Sequence, residues 1–179
     1  MSTSSHRSSR MPFLLDLPFL DHRDPNYFAE NRARGLAYRN YLESVRDQLP
    51  LSVYRFATAE WRQNITDPRG LHDAELVSLS IDSSDTQDGI ETSIKLALEG
   101  RNGDRVIRLA YGHVSRYLLN ASDGHGDLGR TTVGGGHGAL VVDEISVSSE
   151  GHAQHHLIFG SGARWLLEFR SFLWEVETR

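Results

Sequence analysis

Leu71-His72-Asp73-Ala74-Glu75-Leu76-Val77-Ser78-Leu79-Ser80-Ile81-Asp82 is the stretch that decides the fold. From Glu75 onward, apolar and polar residues alternate. Successive side chains of a strand point to opposite faces, so this pattern predicts a half-buried strand with Val77, Leu79 and Ile81 toward a core. The same period of two returns at Ile94, Leu96 and Leu98, and again at Ile107, Leu109 and Tyr111. Asn102-Gly103 lies between those two runs, and Asn-Gly is a strong hairpin signal because both residues tolerate positive φ. Further on, His155, Leu157 and Phe159 alternate, Gly160-Ser161-Gly162 turns the chain, and Trp165, Leu167 and Phe169 follow. Phe172, Trp174 and Val176 close the series as a last short strand or bend. Val141, Ile145 and Val147 form another run, with Asp143 unexpectedly on their face. Residues 114–119 read as a continuation or a further strand. The sum is an antiparallel meander of about six to seven strands, closing as a sandwich or half-barrel.

The chain before this stretch has a different period. Pro12, Pro18 and Pro25 prevent a regular helix over residues 11–25, whose Phe13, Leu14, Leu15, Leu17, Phe19 and Leu20 suit an extended apolar arm. Asp24-Pro25-Asn26 then opens a helix, with Asp24 or Asn26 as its cap. Tyr27, Phe28, Leu36, Tyr38, Tyr41, Leu42 and Val45 recur near the helical period, and Pro50 ends the run near Gln48. Tyr38 is expected to bury its ring and keep its hydroxyl wet. A second helix fits Ser52 to Gln63. The expected fold class is α+β: an N-terminal arm and one or two helices packed on a C-terminal antiparallel sheet. Residues 1–10 read as a disordered tail and 11–179 as a single domain, with arm and helices over 11–70 and the sheet over 71–179.

Composition narrows the classes. In 179 residues, 39% are apolar and 24% charged, which suits a globular domain with one core. The formal net charge is -5, and Lys95 is the single lysine; the arginines are scattered. Nucleic-acid binding needs clustered cations to displace counterions, so no nucleic-acid partner is expected. There is no cysteine, which removes disulfides, thiolate zinc sites and a cysteine nucleophile. Pro12, Asp16 and Pro18 break the apolar piece near the start, so it fails as a secretory core; with no spanning stretch, the expectation is a cytoplasmic protein without a membrane partner.

No complete catalytic or cofactor signature is present. Residues 123–138 hold seven glycines, but no Gly-Lys-Ser/Thr follows Gly134-Gly135-Gly136-His137-Gly138, and a strand rather than a helix comes next. A flexible surface loop is expected instead of a phosphate cradle. No Gly-x-Ser-x-Gly elbow exists, and Ser161 sits in a hairpin turn. His152, His155 and His156 lie close together, yet His155 and His156 point to opposite faces of a strand and do not bind one metal. His137, His152 and His155 are the histidines weighed as metal ligands, with Asp127 as an accompanying carboxylate; their spacing matches no known ligand pattern. His72 and Asp73, with Asp143, form the polar site to weigh: a structural corner of local hydrogen bonds, or a general base and its orienting acid. No catalytic residue and no cofactor are assigned.

The Leu71-His72-Asp73-Ala74 opening, the meander after it and the closing Trp165-Leu-Leu-Glu-Phe-Arg-Ser-Phe-Leu-Trp-Glu-Val resemble a broad group of small bacterial proteins, some known as immunity proteins of toxin systems. The similarity covers residues 70–177 and excludes the arm, the helices and the glycine loop. The resemblance implies an acidic, cytosolic α+β interaction protein whose partner is a cognate toxin, and it carries over no catalytic residue. Asp82, Asp85, Asp88 and Glu91 are the acids expected to meet a basic partner. The alternative is a small-molecule or metal-binding protein, or an enzyme, using the sheet face with His72, Tyr111 and His156. An extended arm of the kind at 11–25 exchanges between protomers in many proteins, which makes a homodimer a further expectation.

Overall fold

The Asp24 carboxylate accepts the Asn26 N–H at 2.7 Å, and its carbonyl accepts that of Tyr27 at 2.9 Å. These bonds start helix α1 (Tyr27–Ser44). Only its C-terminal half packs: Tyr38 and Leu42 are buried, whereas Phe28 and Leu36 are exposed. A 3-10 turn at Arg46–Gln48 follows, then Pro50 leads into α2 (Leu51–Ala57) and a second 3-10 turn at Glu60–Gln63. The stretch read from sequence as one helix over 52–63 is therefore two short pieces. The computed structural model describes residues 13–15, 23–63, 67, 69–87, 89–120 and 137–179. The tail 1–10 and the glycine-rich stretch, apart from His137 and Gly138, fall outside them.

Eight strands follow: β1 (Glu75–Thr86), β2 (Gly89–Glu99), β3 (Arg105–Gly112), β4 (Arg116–Leu119), β5 (Leu140–Val147), β6 (Ala153–Phe159), β7 (Arg164–Phe169) and β8 (Ser171–Thr178). All pairings are antiparallel, but they make two sheets rather than one meander, ordered β1-β2-β3-β8 and β4-β7-β6-β5. The chain crosses from the first sheet to the second after Gly112. It returns through Arg170 alone, because β7 ends at Phe169 and β8 starts at Ser171. A corner that short bends one strand into two sheets, so β7 and β8 share a fold edge.

Side chains from both sheets and from α2 fill the core. Phe56 of α2 lies 4.9 Å from the Phe172 ring, and Tyr111 lies 4.9 Å from Phe169 and 5.2 Å from Phe172. Edge strand β5 is covered by α1. The Ile145 N–H donates to the Tyr38 hydroxyl at 2.7 Å, the same hydroxyl donates to the Ile145 carbonyl at 3.2 Å, and Val147 N–H donates to Tyr41 at 3.0 Å. The Tyr38 hydroxyl is thus dry, contrary to its expected place in water. It acts as a strand surrogate that satisfies both backbone groups of an edge residue. Burial pushes the Tyr38 pKa far up, so the hydroxyl keeps its proton.

Candidate functional site

Leu71-His72-Asp73-Ala74 forms a tight turn closed by Ala74 N–H on the Leu71 carbonyl at 3.1 Å. Leu71 and Ala74 enter the core, and Asp73 takes φ 64°, a left-handed value that Asp tolerates better than most residues. The turn also joins the two sheets: Asp73 N–H donates to Leu140 at 2.8 Å, and Leu140 N–H donates to Ala74 at 2.7 Å. The Asp73 carboxylate lies 3.1 Å from His72 Nδ1 and 3.4 Å from Arg101 of the β2–β3 turn. Both apolar anchors and the backbone bonds of the motif serve the junction. The His72 side chain stays on the surface, 42% exposed.

Asp143 belongs to a separate constellation. A bulge at Val141 shifts β5 by one residue against β6, which sets Asp143 beside Leu157 and Ile145 beside His155. Asp143 therefore points inward with the apolar residues, as the sequence pattern suggested. Its Oδ2 accepts from Arg62 and lies 2.7 Å from His155 Nε2, while His155 Nδ1 lies 2.8 Å from the Tyr111 hydroxyl. The Arg62 guanidinium also stacks 4.2 Å over the Phe56 ring. Burial pushes the Asp143 pKa up, but Arg62 and His155 outweigh it and hold the group at about 2. Burial lowers the His155 pKa, and Asp143 offsets this only in part. The result is a sealed chain of bonds from the helical segment through β5 and β6 to β3. It can tie three parts of the fold together, and it offers no face to a substrate.

The outward face of the second sheet carries a different histidine–acid pair. Glu168 of β7 stands opposite Gln154 of β6 and Arg116 of β4. Its Oε1 lies 3.0 Å from His152 Nδ1 and 3.2 Å from Ser115 Oγ, and its Oε2 accepts from Gln154 Nε2 at 2.9 Å. Burial works to raise the Glu168 pKa, but these donors prevail and lower it. Arg170 donates to His152 Nε2 at 3.1 and 3.2 Å, so the ring proton sits on Nδ1, facing Glu168. Ser115 and Glu168 meet the ring at the same nitrogen, 3.4 and 3.0 Å away, which is not the geometry of a hydroxyl nucleophile and its base. Beside the pair opens a cavity of about 380 Å³ lined by Ser115, Arg116, Ser148, Glu150, Gln154 and Glu168.

The histidines weighed as ligands do not converge. His155 is in the core and His152 is on the outer face. His137 packs on Trp165 at 4.9 Å and Phe159 at 5.4 Å, near the far end of β6. His156 lies on the face opposite His155, where burial and then the nearby His155 lower its pKa to about 4. Tyr111 is sealed inside, so His72, Tyr111 and His156 share no face. Asp127 and Asp88 lie outside the described residues. Of the remaining acids on the β1–β2 ribbon, Asp82 pairs with Ser93 and Glu91 with Ser84, which puts both on one face; Asp85 is on the other, with Ile81 and Ile90.

Sequence reasoning missed Arg62, Glu150, Glu168 and Arg170. Glu168 was visible as a charged residue inside an apolar strand, but its partners Gln154 and Arg116 depend on strand order. No family model, no curated protein and no solved structure matches the chain.

Proposed function

We propose that this protein is an interaction protein of the immunity type, which takes a basic partner on the β1–β2 ribbon. The observation that carries this reading is the state of β1. Residues Ser78 to Thr86 are exposed, and Val77, Leu79 and Ile81 retain 53%, 37% and 40% of their surface. Ile81 pairs with fully buried Ile94, so beyond Leu76 the core reaches β2 and leaves β1 uncovered. Among the described residues, β1 bonds only β2, apart from one bridge between Glu75 and Ala139. A long edge strand with unpaired backbone groups invites strand addition, and natural proteins usually blunt such edges. Here Glu75, Asp82 and Asp85 charge the strand negatively, and it carries no cation. Like charges disfavour a second copy of the same strand and favour a basic extended segment.

Capture from native lysate on the intact protein tests this. The expected catch is a basic protein that high salt releases and that L79K/I81K and S83P fail to hold; Ser83 pairs with Thr92, whose carbonyl is turned away to Val114, so proline at 83 removes an outward-facing edge N–H. Equal capture by the wild type and both variants would sink the reading. A toxin gene directly upstream of this one is the independent genetic mark of an immunity protein.

A further inference from the structure

We propose that Glu150, His152 and Glu168 bind one divalent transition-metal ion of the zinc class. One nitrogen and two carboxylate oxygens from these residues lie within 4.8 Å of one another. The His152 Nδ1 to Glu168 Oε1 distance is 3.0 Å. Bond lengths of about 2.0–2.2 Å to imidazole and carboxylate place neighbouring donors of one ion roughly 3 Å apart. The pair therefore already has the spacing of two ligands, and Glu150, exposed on the β5–β6 turn, has to close by side-chain rotation alone.

The surroundings hold the donors in place. Ser148 Oγ accepts from His152 N–H at 3.1 Å and Glu150 N–H at 3.3 Å, and Gly151 takes φ 81° to complete the turn. Glu168 is 5% exposed, and Gln154 and Ser115 donate to its two oxygens. Ligating carboxylates are commonly oriented by such outer hydrogen bonds. The imidazole favours zinc, nickel or cobalt over calcium or magnesium, which prefer oxygen donors. The cavity next to Glu150 leaves room for water to complete the coordination.

Arg170 is the competing cation. When the ion takes Nδ1, the ring proton moves to Nε2, which can no longer accept from the guanidinium. No net proton leaves the ring, but Arg170, exposed at the β7–β8 corner, has to swing away. The ion and the arginine thus hold His152 in alternative states.

Titration of the full chain with Co²⁺, read by its visible absorption, and with Zn²⁺ by calorimetry tests the site. The expected result is one equivalent bound. E150Q, on an exposed turn where folding is unaffected, weakens binding about tenfold or more, and H152Q does the same. R170Q tightens it several-fold, an effect that adventitious binding to the other histidines does not produce. No binding at millimolar metal, or equal affinity in wild type, E150Q and H152Q, overturns the proposal.

Discussion

His152 and His155 are three residues apart on one hairpin arm, and each faces a carboxylate, yet the two pairs live in different solvents. His155–Asp143 is closed in by Arg62, Tyr111 and Phe56. His152–Glu168 borders an open cavity. In the core, every bonding position around the histidine is taken, and the network can only hold the fold. On the outer face, the ring is held by an arginine that solvent can reach. Histidine beside an acid therefore says little by itself; what matters is whether a third group can enter.

The comparison breaks most sharply at Asp143. D143A leaves the Arg62 charge buried without its counter-ion, and removing one partner of a buried pair costs about 3–5 kcal/mol. At roughly 2–4 °C per kcal/mol for a domain of this size, thermal melting should fall by about 6–20 °C. The same truncation at exposed Glu150 should leave melting within about 0.5 kcal/mol of wild type. Equal losses at the two positions would show that the core network is not the staple described. Next in size is Tyr38: Y38F strips the hydroxyl from both backbone groups of Ile145 and should cost about 1–3 kcal/mol, measured by urea unfolding.

Acid separates the faces in another way. The folded-state pKa values of His155 and His156 lie below the ordinary 6.5, that of His156 at about 4. The unfolded chain then binds protons first, so their contribution is full above 6.5 and is lost as pH falls toward the folded values. Asp143 adds a further loss between 3.8 and about 2. Glu144 acts against them. Burial raises its pKa, and backbone N–H donors from the arm, Phe13 and Leu14 among them, only partly offset this, so the folded protein gains a proton there first. Unfolding free energies from urea titration should drop between pH 7 and pH 4 by up to about 1.4 kcal/mol per pH unit for each histidine, less the Glu144 gain. H156Q should flatten the curve; a midpoint constant across this range would contradict the buried neutral state.

Much of the fold was legible because it is local. Alternation at Ile94, Leu96 and Leu98 or at Trp165, Leu167 and Phe169 follows from one buried face, and Asn102-Gly103 marked its own turn. A sandwich was legible as one outcome, but the strand order of its two sheets was not. That order rests on β4 pairing with β7 and on a one-residue corner at Arg170, both set by packing across long sequence separations. The apolar stripe Val77, Leu79 and Ile81 was read as core and stands half exposed, because alternation reports which face is apolar but not whether a second layer covers it. Asp143 was noticed for its odd face, whereas its partner Arg62 sits in a short helical turn that carries no signal. His152 was noticed and its acid was not, since Glu168 reaches it only through strand register.

The smallest effect on stability should come with the largest effect on binding. L79K/I81K on β1 swaps side chains that already meet water, so melting should move by no more than about 0.5 kcal/mol. Those two positions are nevertheless the centre of the proposed partner surface, where a cation repels a basic segment and removes its apolar contact. H152Q on the opposite sheet should be as quiet in melting and should leave partner capture intact while weakening metal binding about tenfold or more. The two variants thus form a crossed pair, each silent in the other's assay. If L79K/I81K also lowers metal affinity, or H152Q also weakens capture, then the two faces are coupled through β7, Arg170 and β8, the single-residue corner that joins the sheets.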